Sequence, residues 1–442
     1  MPRLAYAACL LASAASPAIA QQREGFDLSG SIRVRYETIE NQPRTGFDRT
    51  DALMNLRTTL FASYREGPLT IAAEIWDSRV WGADAGTPVT TNEVNTAELV
   101  QAYAAYRTQL GKTRLTVQAG RSTLNIGSRR LVAADDYRNT TNGYTGLKTD
   151  IAAPGGIAGT LIYVLPQQRR PDDAASLRSG RIEWDHEGFD QVLWGGTVAK
   201  AKAIGPVTIE TSFYHLGERD TPGRGTRDRS LNTYGGRVMR DAAAGKVDFE
   251  IEAFLQSGRI SASTAANAAK VPVSASFVHA DLGYTLADAW KTRFSLEYDR
   301  ASGDHVGGSY GRFDTLFGMR RADLAPAGLY NAVGRANLVS FGPRVEMAPS
   351  KRIDLTATWH ALWLAEPTDS FSTTGVRDAS GRAGNFAGHQ FDARLRWWVL
   401  PEKLRFEANG VVLAKGRFLR EAPNAPAGGT TLYTSVNLTA SF

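Results

Sequence analysis

Tight turns and long polar loops succeed one another in strict order along this chain, and the stretches between them alternate apolar and polar side chains residue by residue. The tight turns fall at 66–68, 110–112, 154–156, 204–206, 241–245, 287–290, 348–351 and 400–402. The long loops fall at roughly 78–93, 124–143, 167–189, 217–231, 257–272, 301–335, 365–389 and 416–430. Counted from Phe26, every turn lands at one end of the molecule and every loop at the other. A soluble sandwich has no physical reason to keep that asymmetry. A bacterial outer-membrane β-barrel does, with short periplasmic turns and long external loops.

The strand pattern agrees. Side chains of a strand point alternately to its two faces, and stretches of roughly ten residues with that period occur about eighteen times. Ile32, Val34 and Tyr36 share one face against Arg33, Arg35 and Glu37. Met54, Leu56, Leu60, Ala62 and Tyr64 oppose Asn55, Arg57, Thr59 and Ser63, and Val247, Phe249 and Ile251 oppose Asp248, Glu250 and Glu252. The row from Ile353 to Trp363 is the clearest. The last segment, from Tyr433, ends the same way, with Val436, Leu438, Ala440 and Phe442 on one face and Ser435, Asn437, Thr439 and Ser441 on the other. An alternating strand that stops on an aromatic is the expected closing strand and assembly signal of such a barrel. Tyr64, Tyr106, Tyr214, Tyr284, Tyr298, Trp363, Trp397 and Tyr433 fall near strand ends, where amphipathic rings form interfacial girdles.

Composition bounds the rest. Met1 to Ala20 carries Arg3, an apolar core and Ala18-Ile19-Ala20, which reads as a secretory signal cleaved after Ala20. Cys9 lies inside it, so the mature chain relies on no disulfide. No later stretch approaches about 18 consecutive apolar residues, the requirement for a membrane helix. Mean hydropathy is −0.28, as a half-apolar strand demands. Without a linker or a composition break, one closed antiparallel sheet over residues 21–442 is the expected domain.

With about eighteen strands the interior is too wide for side chains alone to fill and should hold an aqueous channel narrowed by loops. Its predicted inward face is dense in charge: Arg33, Arg35, Arg57, Arg237, Arg293, Arg344, Arg394, Arg396 and Arg405, with Glu37, Glu74, Asp248, Glu250, Glu252, Glu297, Asp299, Glu346, Asp392 and Glu407. The chain holds 41 Arg and 10 Lys, and guanidinium forks are the side chains that grip carboxylates in two places. The segment Gly120-Arg-Ser-Thr-Leu-Asn-Ile-Gly-Ser-Arg-Arg130, continuing to Arg138-Asn139, places four arginines on the way into a loop. Either they line a path for anions, or Arg129 and Arg130 merely pair with Asp135 and Asp136.

Several of these segments resemble one known group. Gln101-Ala-Tyr103, Gly120-Arg121 followed by Gly127-Ser-Arg-Arg-Leu131, Phe313-Asp-Thr-Leu-Phe-Gly318 and the terminal strand are similar to the alginate export family. The resemblance implies an 18-stranded monomeric outer-membrane barrel whose arginine-rich lumen passes an anionic polyuronate outward. It makes Arg121, Arg129, Arg130 and Arg138 candidate lumen residues, and the alternation adds Arg57, Arg237, Arg344, Arg394 and Arg396. The abundant inward acid departs from a purely positive path. It leaves a general or sugar-acid porin as the alternative.

The expected partners are anionic polysaccharide or sugar acids, outer-membrane lipid, the barrel-assembly machinery and periplasmic export components. No cofactor is expected. The basic residues are dispersed among nearly equal acid, 51 against 45, so no nucleic acid is expected either. An outer-membrane hydrolase would need a nucleophile, base and orienting acid within reach; H-E-x-x-H does not occur, and the one G-x-S-x-G match, Gly307 to Gly311, falls in the long 301–335 loop rather than between a strand and a helix. The six histidines lack metal-ligand spacing, and a lumen hydrogen bond is the reading for His360. A barrel plugged by the 301–335 loop is the remaining rival.

Overall fold

A computed structural model describes residues 24–135, 137–320 and 323–442. The signal-peptide reading of Met1 to Ala20 lies outside the described residues. Eighteen strands form a single sheet. They are β1 Gly25–Glu40, β2 Thr50–Glu66, β3 Leu69–Trp81, β4 Asn95–Leu110, β5 Thr113–Ser122 and β6 Tyr144–Ala153. Next come β7 Ile157–Pro166, β8 Gln191–Ile204, β9 Val207–Glu218, β10 Ser230–Arg240, β11 Lys246–Ser261 and β12 Lys270–Thr285. The last six are β13 Arg293–Ala301, β14 Leu338–Ser350, β15 Ile353–Trp363, β16 Phe386–Leu400, β17 Leu404–Lys415 and β18 Thr431–Ser441.

Each strand pairs antiparallel with the next. β1 also pairs with β18, from Ser31 opposite Ser441 to Glu40 opposite Leu432. The sheet therefore closes on itself. Closure follows from the solvent: an unpaired backbone group in hydrocarbon costs several kcal/mol, and a closed barrel has no edge on which to leave one. At the seam Gly30 and Phe442 exchange backbone hydrogen bonds of 3.2 and 3.1 Å. A Cβ on Gly30 would lie 2.7 Å from the Phe442 ring, so only glycine lets the terminal ring lie across β1.

The outer surface is apolar. Ile32, Val34, Tyr36, Leu60, Ile71, Leu161, Ile251, Leu255, Leu282, Leu296, Trp359, Val436 and Leu438 are all exposed. In water that would be an aggregation surface; in a bilayer it is the lipid contact. Tyr64, Tyr106, Tyr284 and Trp397 are exposed among them, as an interfacial girdle requires. Tyr214 and Tyr433 correct that expectation. Both are buried, on the inward-facing parity of their strands, and the Tyr433 hydroxyl donates to Glu37 at 3.0 Å. Among the described residues no helix is long and apolar enough to cross a membrane.

The interior is not an open tube. Two loops, residues 123–143 between β5 and β6 and residues 302–337 between β13 and β14, fold inward. They carry the main apolar cluster with them, including Leu124, Val132, Phe313, Leu324, Leu329, Tyr330 and Val333. The inward-folding rival for the 301–335 loop was therefore right about where the loop lies.

Candidate functional site

The two inward loops join each other. Val132 and Phe317 form a parallel bridge, the Phe317 amide donates to Leu131 at 2.9 Å, and the Ala133 amide donates to Phe317 at 3.1 Å. The Arg130 guanidinium then grips Asp323 at 2.7 and 2.8 Å and reaches Glu252 of β11 at 2.8 Å. Arg335 also contacts Asp323. Burial works against the Asp323 charge, but Arg130 and Arg335 outweigh it and hold its carboxyl well below the usual range. The idea that Arg129 and Arg130 pair with Asp135 and Asp136 is corrected for Arg130, whose partners lie across the lumen. Asp135 instead holds Arg138 at 2.9 Å, and Asp136 lies outside the described residues.

Loop 302–337 is fastened to the wall on several sides. Phe313 stacks on Phe277 of β12 at 5.4 Å, Phe317 meets Tyr144 of β6 edge-on at 5.7 Å, and Tyr330 lies 5.9 Å from Tyr433 of β18. The Tyr330 hydroxyl donates to Gln390 of β16 at 2.5 Å, and the Leu329 amide to Glu37 of β1 at 3.0 Å. Mostly toward the long-loop ends of their strands, the wall residues Glu37, Asn55, Ser78, Glu98, Glu252, Asp299, His360, Gln390 and Ser435 are each 1 % exposed or less. In an open lumen of this width they would face water. Here the loops cover them.

The wall is electrically two-sided. Over β9 to β14 the inward-facing arginines Arg237, Arg293 and Arg344 are clamped by carboxylates. Arg237 contacts Glu210 at 3.2 Å and Glu250 at 3.1 Å, and Arg344 contacts Glu297 at 2.9 Å and Glu346 at 2.8 Å. Arg293 contacts Asp248, Asp281 and Glu346. Over β16 to β2 the partners are mostly neutral or shared. Arg33 donates to the Tyr137 and Arg138 carbonyls at 3.2 and 2.7 Å. Arg57 donates to the Arg138 carbonyl at 3.2 Å and lies 4.5 Å over the Trp76 ring. Arg394 and Arg396 share Asp354 at 3.3 and 2.9 Å, and Arg405 lies 5.6 Å over Trp398. This sector is the more positive one.

The other arginines read from the sequence are placed as follows. Arg121 faces inward at the top of β5, held by Glu98 at 2.5 Å and Glu187 at 2.6 Å. Arg138 offers its carbonyl to the wall and its guanidinium to Asn142 at 2.6 Å. Arg129 sits half-buried in the left-handed region, φ +66°, with its carbonyl accepting from Met319 at 3.0 Å. Sequence reasoning missed the joining of Gly127–Val132 to Phe313–Met319. Both segments were singled out, but pairing between loops leaves no periodic signal. The fold also brings His279, Asp299 and Asp323 within 4.8 Å of one another. Asp323 is already neutralised by two guanidiniums, so that trio reads as an ion-pair network rather than a metal centre. His360 lies 3.3 Å from Glu297.

The alginate export family model matches residues 25–430. The chain belongs to the alginate export family. No curated protein matches this sequence. The solved structures it is similar to include outer-membrane porins. OpdK of Pseudomonas aeruginosa has a TM-score of 0.58 at 10 % identity, over 94 % of this chain and 98 % of that one. OccK9 (OpdG) of the same organism has 0.59 at 11 %, over 94 % and 98 %. OccAB1 of Acinetobacter baumannii has 0.57 at 11 %, over 94 % and 96 %. At such identities the likeness shows the shared fold, a closed 18-strand outer-membrane barrel. Family and fold together are those of outer-membrane channels. In this alginate export family member, the quoted Gly120–Leu131 and Phe313–Gly318 segments are the ones that meet inside the barrel.

Proposed function

We propose that this family member is an anion-preferring outer-membrane channel whose cargo is an alginate-like polyuronate, passed along the arginines of the β16-to-β2 wall. One observation carries the reading. Arg405 lies over the Trp398 ring and Arg396 meets the carboxylate of Asp354, where Arg237, Arg293 and Arg344 each meet two or more carboxylates. A guanidinium that is not clamped between carboxylates keeps more of its charge available to an anion. Spacing several such groups along one wall lets a carboxylated chain pass from one to the next without a single trapping site. The acidic sector opposite repels the same chain and confines it to the basic wall.

A porin for small sugar acids is the second reading, favoured by the wall residues that the inward loops cover. A polymer requires loops 123–143 and 302–337 to move, whereas a small carboxylate needs only a gap beside them. Recording in a planar bilayer with polyuronate, monomeric uronate and neutral sugar added in turn separates the two. Block by polyuronate supports the polymer, and block by the monomer alone supports the porin. Indifference to both refutes the carboxylate path.

A further inference from the structure

A cavity of about 290 Å³ opens where β7 and β8 leave the barrel on the long-loop side, apart from the basic wall. Gln167, Arg169, Asn142, Gln191, Arg224 and Phe317 are among the residues that line it. Three guanidiniums border it, and two are already matched: Arg170 by Asp172 at 2.6 Å and Arg224 by Asp190 at 3.0 Å. Arg169 is different. It donates to the Thr91 and Thr141 carbonyls at 2.8 and 3.1 Å and to the Asn142 and Asn92 side-chain oxygens at 2.8 and 3.0 Å. All four acceptors are neutral, so its positive charge remains. These bonds use four of its five N–H groups and leave one on Nη2.

The second observation is independent. Gln167 is 8 % exposed, and its buried Nε2 has no hydrogen-bond partner among the described residues. A buried amide donor left unpaired costs free energy that an acceptor in the cavity would recover. A guanidinium whose hydrogen-bond acceptors are all neutral, with Asp185, Asp135 and Glu93 acting only through space, and an orphan donor together call for an anion with hydrogen-bond acceptors. The neutral amides of Gln168, Gln191 and Asn142 and the Phe317 ring match the hydroxyls and one apolar face of a sugar. Burial, and Arg138 alongside, bring Arg169 down to about 10, still fully protonated at neutral pH.

We propose that this cavity is a second, external binding site for a carboxylate-bearing ligand of monosaccharide size, with Gln167 and Arg169 receiving the carboxylate. It shares a ligand class with the channel reading but lies at the long-loop end, away from the arginines of the basic wall, so the two stand or fall separately. Calorimetric titration of the full-length protein in detergent, with glucuronate, glucose and sulfate as probes, is the test. Glucuronate should bind where glucose does not. Gln167→Met should weaken it roughly tenfold, the loss of one hydrogen bond to a charged group, without changing single-channel conductance. Thr264→Ala, in the neighbouring cavity of about 440 Å³, should leave binding unchanged. Equal heats for glucuronate and glucose would overturn the proposal, as would sulfate binding as tightly as glucuronate, or wild-type affinity in a correctly folded Gln167→Met protein.

Discussion

Arg130 and Asp323 meet in a two-pronged ion pair inside the barrel, Nε to Oδ2 at 2.7 Å and Nη2 to Oδ1 at 2.8 Å, and so tie one inward loop to the other. The residues come from segments 193 positions apart. Both are almost fully buried, where removing one partner of a pair costs about 3–5 kcal/mol because the other charge is left uncompensated. Asp323→Ala should therefore loosen loop 302–337. The expected outcome is larger single-channel conductance and faster proteolytic cleavage within that loop. Unchanged conductance with a freed loop would mean that the loops do not limit flow.

The basic wall predicts an asymmetry between mutants. Arg394→Ala with Arg396→Ala removes two guanidiniums that share the Asp354 carboxylate, and anion preference should fall. Arg344→Ala takes away one arginine from between Glu297 and Glu346, and its dominant effect should be lower stability. Ion selectivity measured alongside thermal unfolding in detergent distinguishes them. Equal selectivity loss in both would contradict the two-sided lumen.

The bilayer sets a third expectation. Ile32 faces outward and Arg33 inward on neighbouring positions of β1. Ile32→Arg puts a charge on the lipid face near mid-strand, at about 2–4 kcal/mol, and should reduce the yield of heat-modifiable, inserted barrel. At the seam, Gly30→Val should lower the unfolding temperature, because its Cβ would enter the Phe442 ring.

Loop 167–190 carries a pH dependence. Burial and the nearby Glu98 carboxylate push the Asp185 carboxyl up to about 7. The folded state then binds the proton more tightly than the unfolded one. Its effect on stability is absent below the unfolded pKa, near 4, and becomes an increasing penalty up to about pH 7. Asp185→Asn should therefore raise the unfolding temperature at pH 8 and leave it unchanged at pH 3. Melting curves across that range check the sign.

Much of the barrel was legible because the solvent on each side of a membrane strand imposes its own residue type. Ile32-Arg33-Val34-Arg35-Tyr36-Glu37 shows the two faces without any structure, and the turn-loop alternation supplies strand count and orientation. Tyr433 and Tyr214 escaped because position near a strand end does not fix parity, and parity decides whether a ring meets lipid or lumen. The site was half legible. Charged inward positions follow from alternation, so Arg57, Arg237, Arg344, Arg394 and Arg396 could be named. Partners could not. Arg130 reaches Asp323 and Glu252 only after two loops fold inward, and contacts between irregular segments have no period to read. The orphan amide of Gln167 is likewise a property of packing.

The reversal potential of the single channel in a bilayer with a KCl gradient tests the central claim most directly. An arginine wall whose charge is not cancelled predicts a potential of the sign set by chloride, reduced when Arg394 and Arg396 are both replaced by alanine. A potential set by potassium in the unmodified protein would contradict it.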